Sequence, residues 1–227
     1  MNTVMIILIL LGCALQALFI KAEHEEKYVL ADILKGSASL FFVLVGLLCF
    51  KENPSSLNRL LLIGLFFGMI GDILLNLRYV FPKNGQKIFL LGILAFLIGH
   101  ILYLISLLQK ADQTKVWYYV IIGAVLAALL LIYIFKTMEV KKAFKIFGIF
   151  YLGAVFIMTA IALGIAVFTP SKRAWIYAAG AVLFTASDVV LIFNTFSGVT
   201  KFSLRITNLT LYYIGQVLIA LSLFYHY

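Results

Sequence analysis

Two acidic residues lie where acids are costly. Asp72, in GLFFGMIGDILLN (Gly64–Asn76), and Asp188, in GAVLFTASDVVLI (Gly180–Ile192), each follow a glycine by eight residues inside an otherwise apolar run. A carboxyl inside a lipid-embedded helix costs roughly 3 kcal/mol or more, so by default it marks a functional site. Two carboxyls held close together do not both ionise easily. One then serves as an acid, and the other as a base or a stabiliser of charge. Such a pair suits acid-catalysed hydrolysis of an ether, acetal or amide. The same residues also fit two other roles: structural hydrogen bonds between helices, or a proton relay in a proton-coupled transporter of small molecules or lipids.

The elements that carry these acids follow from composition. With 64% apolar and 12% charged residues and a mean hydropathy of +1.12, a water-soluble domain is excluded. The chain reads as an all-α integral membrane protein, a single polytopic domain over residues 1–227. Runs long enough to span a bilayer fall at Val4–Ile20, Val29–Phe50, Asn58–Leu77, Ile88–Leu108, Val116–Phe135, Ile146–Phe168, Ala174–Thr195 and Ile206–Tyr225. These predict eight transmembrane helices joined by short polar turns such as Asn53-Pro54-Ser55 and Thr169-Pro170-Ser171.

The net charge of +9 is scattered through the loops rather than clustered on one face, which argues against nucleic acid as a partner. Loops after the odd helices hold 11 Lys and Arg, from Lys21 to Arg205, against 6 on the other side. The positive-inside rule therefore predicts a cell (inner) membrane protein with odd loops in the cytoplasm and both termini outside. Leu10-Leu11-Gly12-Cys13 faintly resembles a lipoprotein cleavage box, but no Lys or Arg precedes Lys21, so the segment reads as a helix. Cys13 and Cys49 have no partner at metal-ligand spacing.

A shift of 116 residues lays the second half on the first without gaps. It aligns Asp188 with Asp72, Gly180 with Gly64, Gly215 with Gly99, Gln216 with His100, Ser222 with Ser106 and Tyr151 with Lys35. Four helices per half predict a parallel 4+4 internal repeat, with halves of about 1–110 and 111–227. Parallel halves put both aspartates at one depth, about 8 to 10 Å from the odd-loop face by helical rise. Lys35 and Tyr151 enter from that face to share the layer, and Asn76 lies one turn beyond Asp72. The expectation is a polar pocket under the headgroups on that side.

His100 lies deeper, about 18 Å from that face, and His24 and His226 are poorly placed to join it. No zinc site, and no other metal or cofactor, is expected. Asp32 is read as snorkelling to water, and Glu23, Glu25 and Glu26 as a wet acidic loop. Arg78 and Tyr79 suit a lipid phosphate, although an ordinary positive helix flank explains Arg78 more simply.

GMIGDILLNL, AFLIGHILY, GAVLFTASDVVL and YYIGQVLIALS together resemble the YhhN-like membrane lysoplasmalogenase family. The likeness covers helices two to eight, and the Gly-Asp and Ser-Asp pair is its most specific part. It falls on Lys35, Asp72, His100, Tyr103, Tyr151, Ser187, Asp188, Tyr212 and Gln216; Gly36 stands where the family usually has proline. The resemblance implies metal-free hydrolysis of the vinyl ether of lysoplasmalogens, with a lysophospholipid in the bilayer as substrate and membrane lipids as surroundings. One aspartate would protonate the enol ether, our preference being Asp72. The other would stabilise the cation and position water, with Tyr151 or Lys35 orienting the pair or binding phosphate.

Overall fold

In lipid, an apolar run must satisfy its own backbone, which leaves the helix as its solution. A computed structural model describes residues 3–198 and 200–226, in which eight helices are long and apolar enough to cross a membrane. They are α1 (Thr3–His24), α2 (Tyr28–Glu52), α3 (Ser56–Val80), α4 (Gly85–Leu108), α5 (Val116–Thr137), α6 (Lys142–Phe168), α7 (Lys172–Phe196) and α8 (Phe202–Ser222). A 3-10 turn, Pro82–Asn84, joins α3 to α4. The described residues contain no strand.

Helices overrun the apolar spans where basic side chains reach for the interface. Thus α3 continues to Val80 rather than Leu77, and α6 starts at Lys142 rather than Ile146. α8 starts at Phe202 rather than Ile206 and ends at Ser222 rather than Tyr225. Carbonyls just beyond its end are taken by side chains at the end of α2 and the start of α7. Asn53 donates to Leu223 O at 3.2 Å and Tyr225 O at 3.1 Å, and Arg173 donates to Tyr225 O at 3.2 Å.

α2, α3, α4, α6, α7 and α8 form a ring in which each helix packs on the next and α8 returns to α2. Outside it, α1 lies against α2 and α8, and α5 against α6. Phe42, Leu65, Val155, Phe184 and Ile219 fill the interior, whereas Leu10, Ile121, Leu129 and Phe150 face outward, as lipid-exposed side chains do. Trp117 and Trp175 are exposed near the starts of α5 and α7, where an interfacial aromatic belt is expected.

Local contacts fix the two aspartate helices alike. Ser55 Oγ accepts from Asn58 N at 3.1 Å to start α3, and Ser171 Oγ accepts from Ala174 N at 3.1 Å to start α7. Glycines then bring each helix close to its successor. A Cβ on Gly64 would lie 3.0 Å from Gly99 O, and one on Gly180 would lie 2.8 Å from Gly215 O. Small residues permit such close crossings in membranes. Each of these partners is its counterpart under the 116-residue shift.

Gly180→Ala should therefore lower the thermal unfolding midpoint in detergent, by an overpacking cost of about 1–3 kcal/mol. Gly153, whose Cβ would meet nothing within 4 Å, is the control. Gly153→Ala should hold or raise the midpoint, because alanine is the better helix former by about 1 kcal/mol. Equal midpoints for the two variants would contradict a tight crossing.

Candidate active site

Helical spacing builds the site from three stripes. On α2, Lys35 and Ser39 lie four residues apart and present one face to α3. On α3, Asp72 and Asn76 do the same. On α8, Asn208, Tyr212 and Gln216 form a polar line through an apolar helix. The ring closes these stripes on one another, with Tyr151 of α6 and Asp188 of α7 completing the circuit.

Asp72 is held on both oxygens. Ser39 Oγ and Tyr212 OH donate to Oδ2, the tyrosine at 2.7 Å, while Lys35 Nζ lies 3.4 Å from Oδ1. Lys35 also donates to Gln16 Oε1 of α1 at 3.4 Å and sits over the Tyr212 ring at 4.4 Å. Asp188 has a sparser setting, with one donor, Tyr151 OH at 2.7 Å from Oδ2, and no cation at ion-pair distance among the described residues. Lys35, Asp72 and Asp188 are 2%, 4% and 4% exposed, so neither carboxyl is bathed in bulk water.

The remaining sequence-predicted residues fall into place around the pair. Tyr103 OH donates to Gln216 Oε1 at 3.3 Å, and Gln216 Nε2 donates to Tyr212 OH at 3.3 Å, so a hydrogen-bonded line runs from α4 through α8 to Asp72. Asn76 Nδ2 donates to the Asp72 carbonyl at 3.1 Å. Ser187 Oγ accepts from Asn208 Nδ2 at 3.1 Å. His100 lies beside this assembly rather than on the cavity: its Nδ1 is 2.7 Å from Phe96 O, its ring packs on Phe184 at 4.6 Å, and Nε2 is buried without a partner.

Both aspartates, Lys35, Tyr151, Ser187 and Tyr212 border one cavity. It extends past Asn76 to Arg78, Thr195 and Arg205, at the helix ends that bear the odd loops. Most of its wall is apolar, with Phe89 and Ile93 of α4, Ile134 of α5, Phe144 of α6 and Ile192 of α7. An acid pair therefore borders a chamber whose wall is otherwise mostly apolar.

Several residues escaped the sequence reading. Gln16 is a lone amide in an apolar run, and Asn208 lies four residues before Tyr212, so both carried a spacing signal. Ser39 carried little signal. Glu23 corrects an expectation: it belongs to α1 rather than to a wet loop, and it grips Arg205 with contacts of 2.6 and 2.8 Å. Asp32, expected to be solvated, is half-buried with one oxygen enclosed and unpaired. No cluster of three His, Cys, Asp or Glu side chains suited to a metal occurs among the described residues.

Fold and site define a polytopic helical membrane protein with two buried aspartates on one mostly apolar internal cavity. A sequence model of the YhhN family matches residues 30–223, and the chain belongs to that family. No curated protein and no solved structure matches it.

Removing one half of a buried ion pair strands the other charge, at about 3–5 kcal/mol. Lys35→Met should accordingly lower stability in detergent by that order, and Lys35→Met combined with Asp72→Asn should regain most of the loss. Unfolding curves of the three variants measure this. A double variant no more stable than Lys35→Met would show that the two charges do not compensate each other.

Proposed function

We propose that this protein is a lysoplasmalogenase-like hydrolase that cleaves the vinyl ether of lysophospholipids by aspartate acid–base chemistry. The observation that carries the reading is the unequal treatment of two buried carboxyls beside one apolar chamber. Asp72, with a cation and two hydroxyl donors, is suited to the ionised form. Asp188, with one donor and no cation, is suited to hold a proton. The roles are thus the reverse of our preference from sequence.

Asp188 gives its proton to the alkene carbon remote from the ether oxygen, leaving an oxocarbenium ion that the Asp72 carboxylate stabilises. Water adds to the cationic carbon, and its surplus proton returns to the carboxylate of Asp188. As the hemiacetal's bond to the glycerol oxygen breaks, Asp188 protonates that oxygen and takes back the proton of the hemiacetal hydroxyl, giving a fatty aldehyde and a glycerophospho-alcohol with one water consumed and no cofactor taking part. Tyr151 and Tyr212 orient the two carboxyls.

Family membership supports this chemistry, and depth supports the substrate. α3 and α7 each continue eight residues past their aspartate, to Val80 and Phe196. That is about 12 Å of rise, the zone in which a lysolipid carries its first chain bond. The equivalent glycine crossings and serine caps support a parallel 4+4 duplication, and the loop charges support odd loops in the cytoplasm. Every helix is continuous, whereas a carrier built on inverted repeats is expected to break helices near the midplane.

In mild detergent, the wild-type chain should release aldehyde from a vinyl-ether lysophospholipid and leave the alkyl-ether and acyl analogues intact. Asp72→Asn and Asp188→Asn should each lower the rate by about 10²- to 10⁴-fold. Absence of release from folded wild-type protein would sink the reading. Gly148 borders the cavity, and a Cβ there would meet nothing within 4 Å. Gly148→Phe should therefore shift the preference toward shorter chains, measured as the ratio of kcat/KM for short and long substrates.

A further inference from the structure

Three cations border the cavity: Lys35, Arg78 and Arg205. Two are matched, Lys35 by Asp72 at 3.4 Å and Arg205 by the two oxygens of Glu23 at 2.6 and 2.8 Å. Arg78 has no acidic partner among the described residues. Its Nη2 donates to Tyr79 OH at 2.7 Å, and its Nε is enclosed without an acceptor. Its guanidinium lies 4.1 Å from the Phe89 ring centroid and 4.6 Å from that of Tyr79. Aromatic faces of this kind hold a planar guanidinium while leaving its edge free to donate.

A half-buried guanidinium whose Nε is enclosed without an acceptor carries a desolvation cost that an anion would offset. A phosphate diester fits that need, because the guanidinium fork bonds two phosphate oxygens at once. Position along α3 agrees with this. Arg78 lies six residues beyond Asp72, about 9 Å of helical rise, and long helical side chains lean back toward the N-terminus. A glycerol backbone bridges the interval between that fork and the carboxyls.

We infer that Arg78 is the phosphate anchor of a lysophospholipid site, fixing the headgroup at the cavity mouth while the chain lies along the apolar wall. The inference rests on the proposed hydrolase only for the bond that reacts. Binding tests it without turnover. The full chain in detergent would be titrated with a non-cleavable alkyl-ether lysophospholipid, an alkylglycerol of equal chain length lacking phosphate, and a tailless glycerophosphodiester.

Arg78→Gln should weaken the lysophospholipid about tenfold, the scale of a lost charge-assisted contact, and change the alkylglycerol less than about twofold. Arg78→Lys should recover part of the loss. Lys136→Gln, which removes an exposed cation on the same side of the protein, should leave both affinities unchanged. Unfolding midpoints report whether each variant is folded. Unchanged lysophospholipid affinity in Arg78→Gln, or equal loss of the alkylglycerol, would overturn the assignment. Binding of the tailless diester as tight as that of the lysolipid would overturn the lipid source. If the Arg78 dependence holds while no aldehyde is ever released, the hydrolase reading fails and the phosphate site stands.

Discussion

The structure depends on a lysine and an aspartate that have been taken out of water together. Lys35 and Asp72 face each other between α2 and α3, both almost fully enclosed. A buried ion pair is weak evidence for stability, because desolvation offsets most of its attraction and a well-packed apolar pair often does as well. The hydrolase proposed above assigns the pair a role in chemistry instead. Surrounding helices supply what the pair requires: Gln16 from α1 for the ammonium, and Ser39 and Tyr212 for the carboxylate. The ring of helices is the device that brings those donors to one depth.

Asymmetry between the two acids gives the site its direction. Under the 116-residue shift Tyr151 stands where Lys35 stands, so one half of the chain meets its carboxyl with a charge and the other with a neutral hydroxyl. On the proposed duplication, one altered partner would turn like residues into an acid and a base. The cavity then adds a second asymmetry, polar at the acids and at Arg78 and Arg205, apolar along its α4, α5 and α6 walls. A molecule with a charged head and one long tail matches that order of surfaces.

Much of this was legible before any coordinates. Apolar runs fixed the number of helices, and the rarity of acids in them singled out Asp72 and Asp188. The stripe of Tyr212 and Gln216 was visible from its spacing of four. What stayed hidden involved partners far apart in the chain or side chains of ambiguous type. Glu23 and Arg205 are 182 residues apart, and in sequence each looks like an ordinary loop charge. Ser39 is indistinguishable from the many small residues that simply let membrane helices approach. Nor does sequence tell a positive flank from an unpaired guanidinium, because the difference lies in whether an acid from another helix reaches it.

The place of each contact along the chain also orders how the site must be assembled. Lys35 and Asp72 belong to consecutive helices, so the hairpin of α2 and α3 carries its own charge neutralisation as it leaves the ribosome. The Glu23–Arg205 bridge instead joins the first helix to the last, and Tyr212 arrives with that same last helix. A nascent chain therefore holds Asp72 in the membrane before α8 brings Tyr212 to it, and the chamber lacks the wall formed by Arg205, Asn208, Leu209 and Tyr212 until that helix arrives.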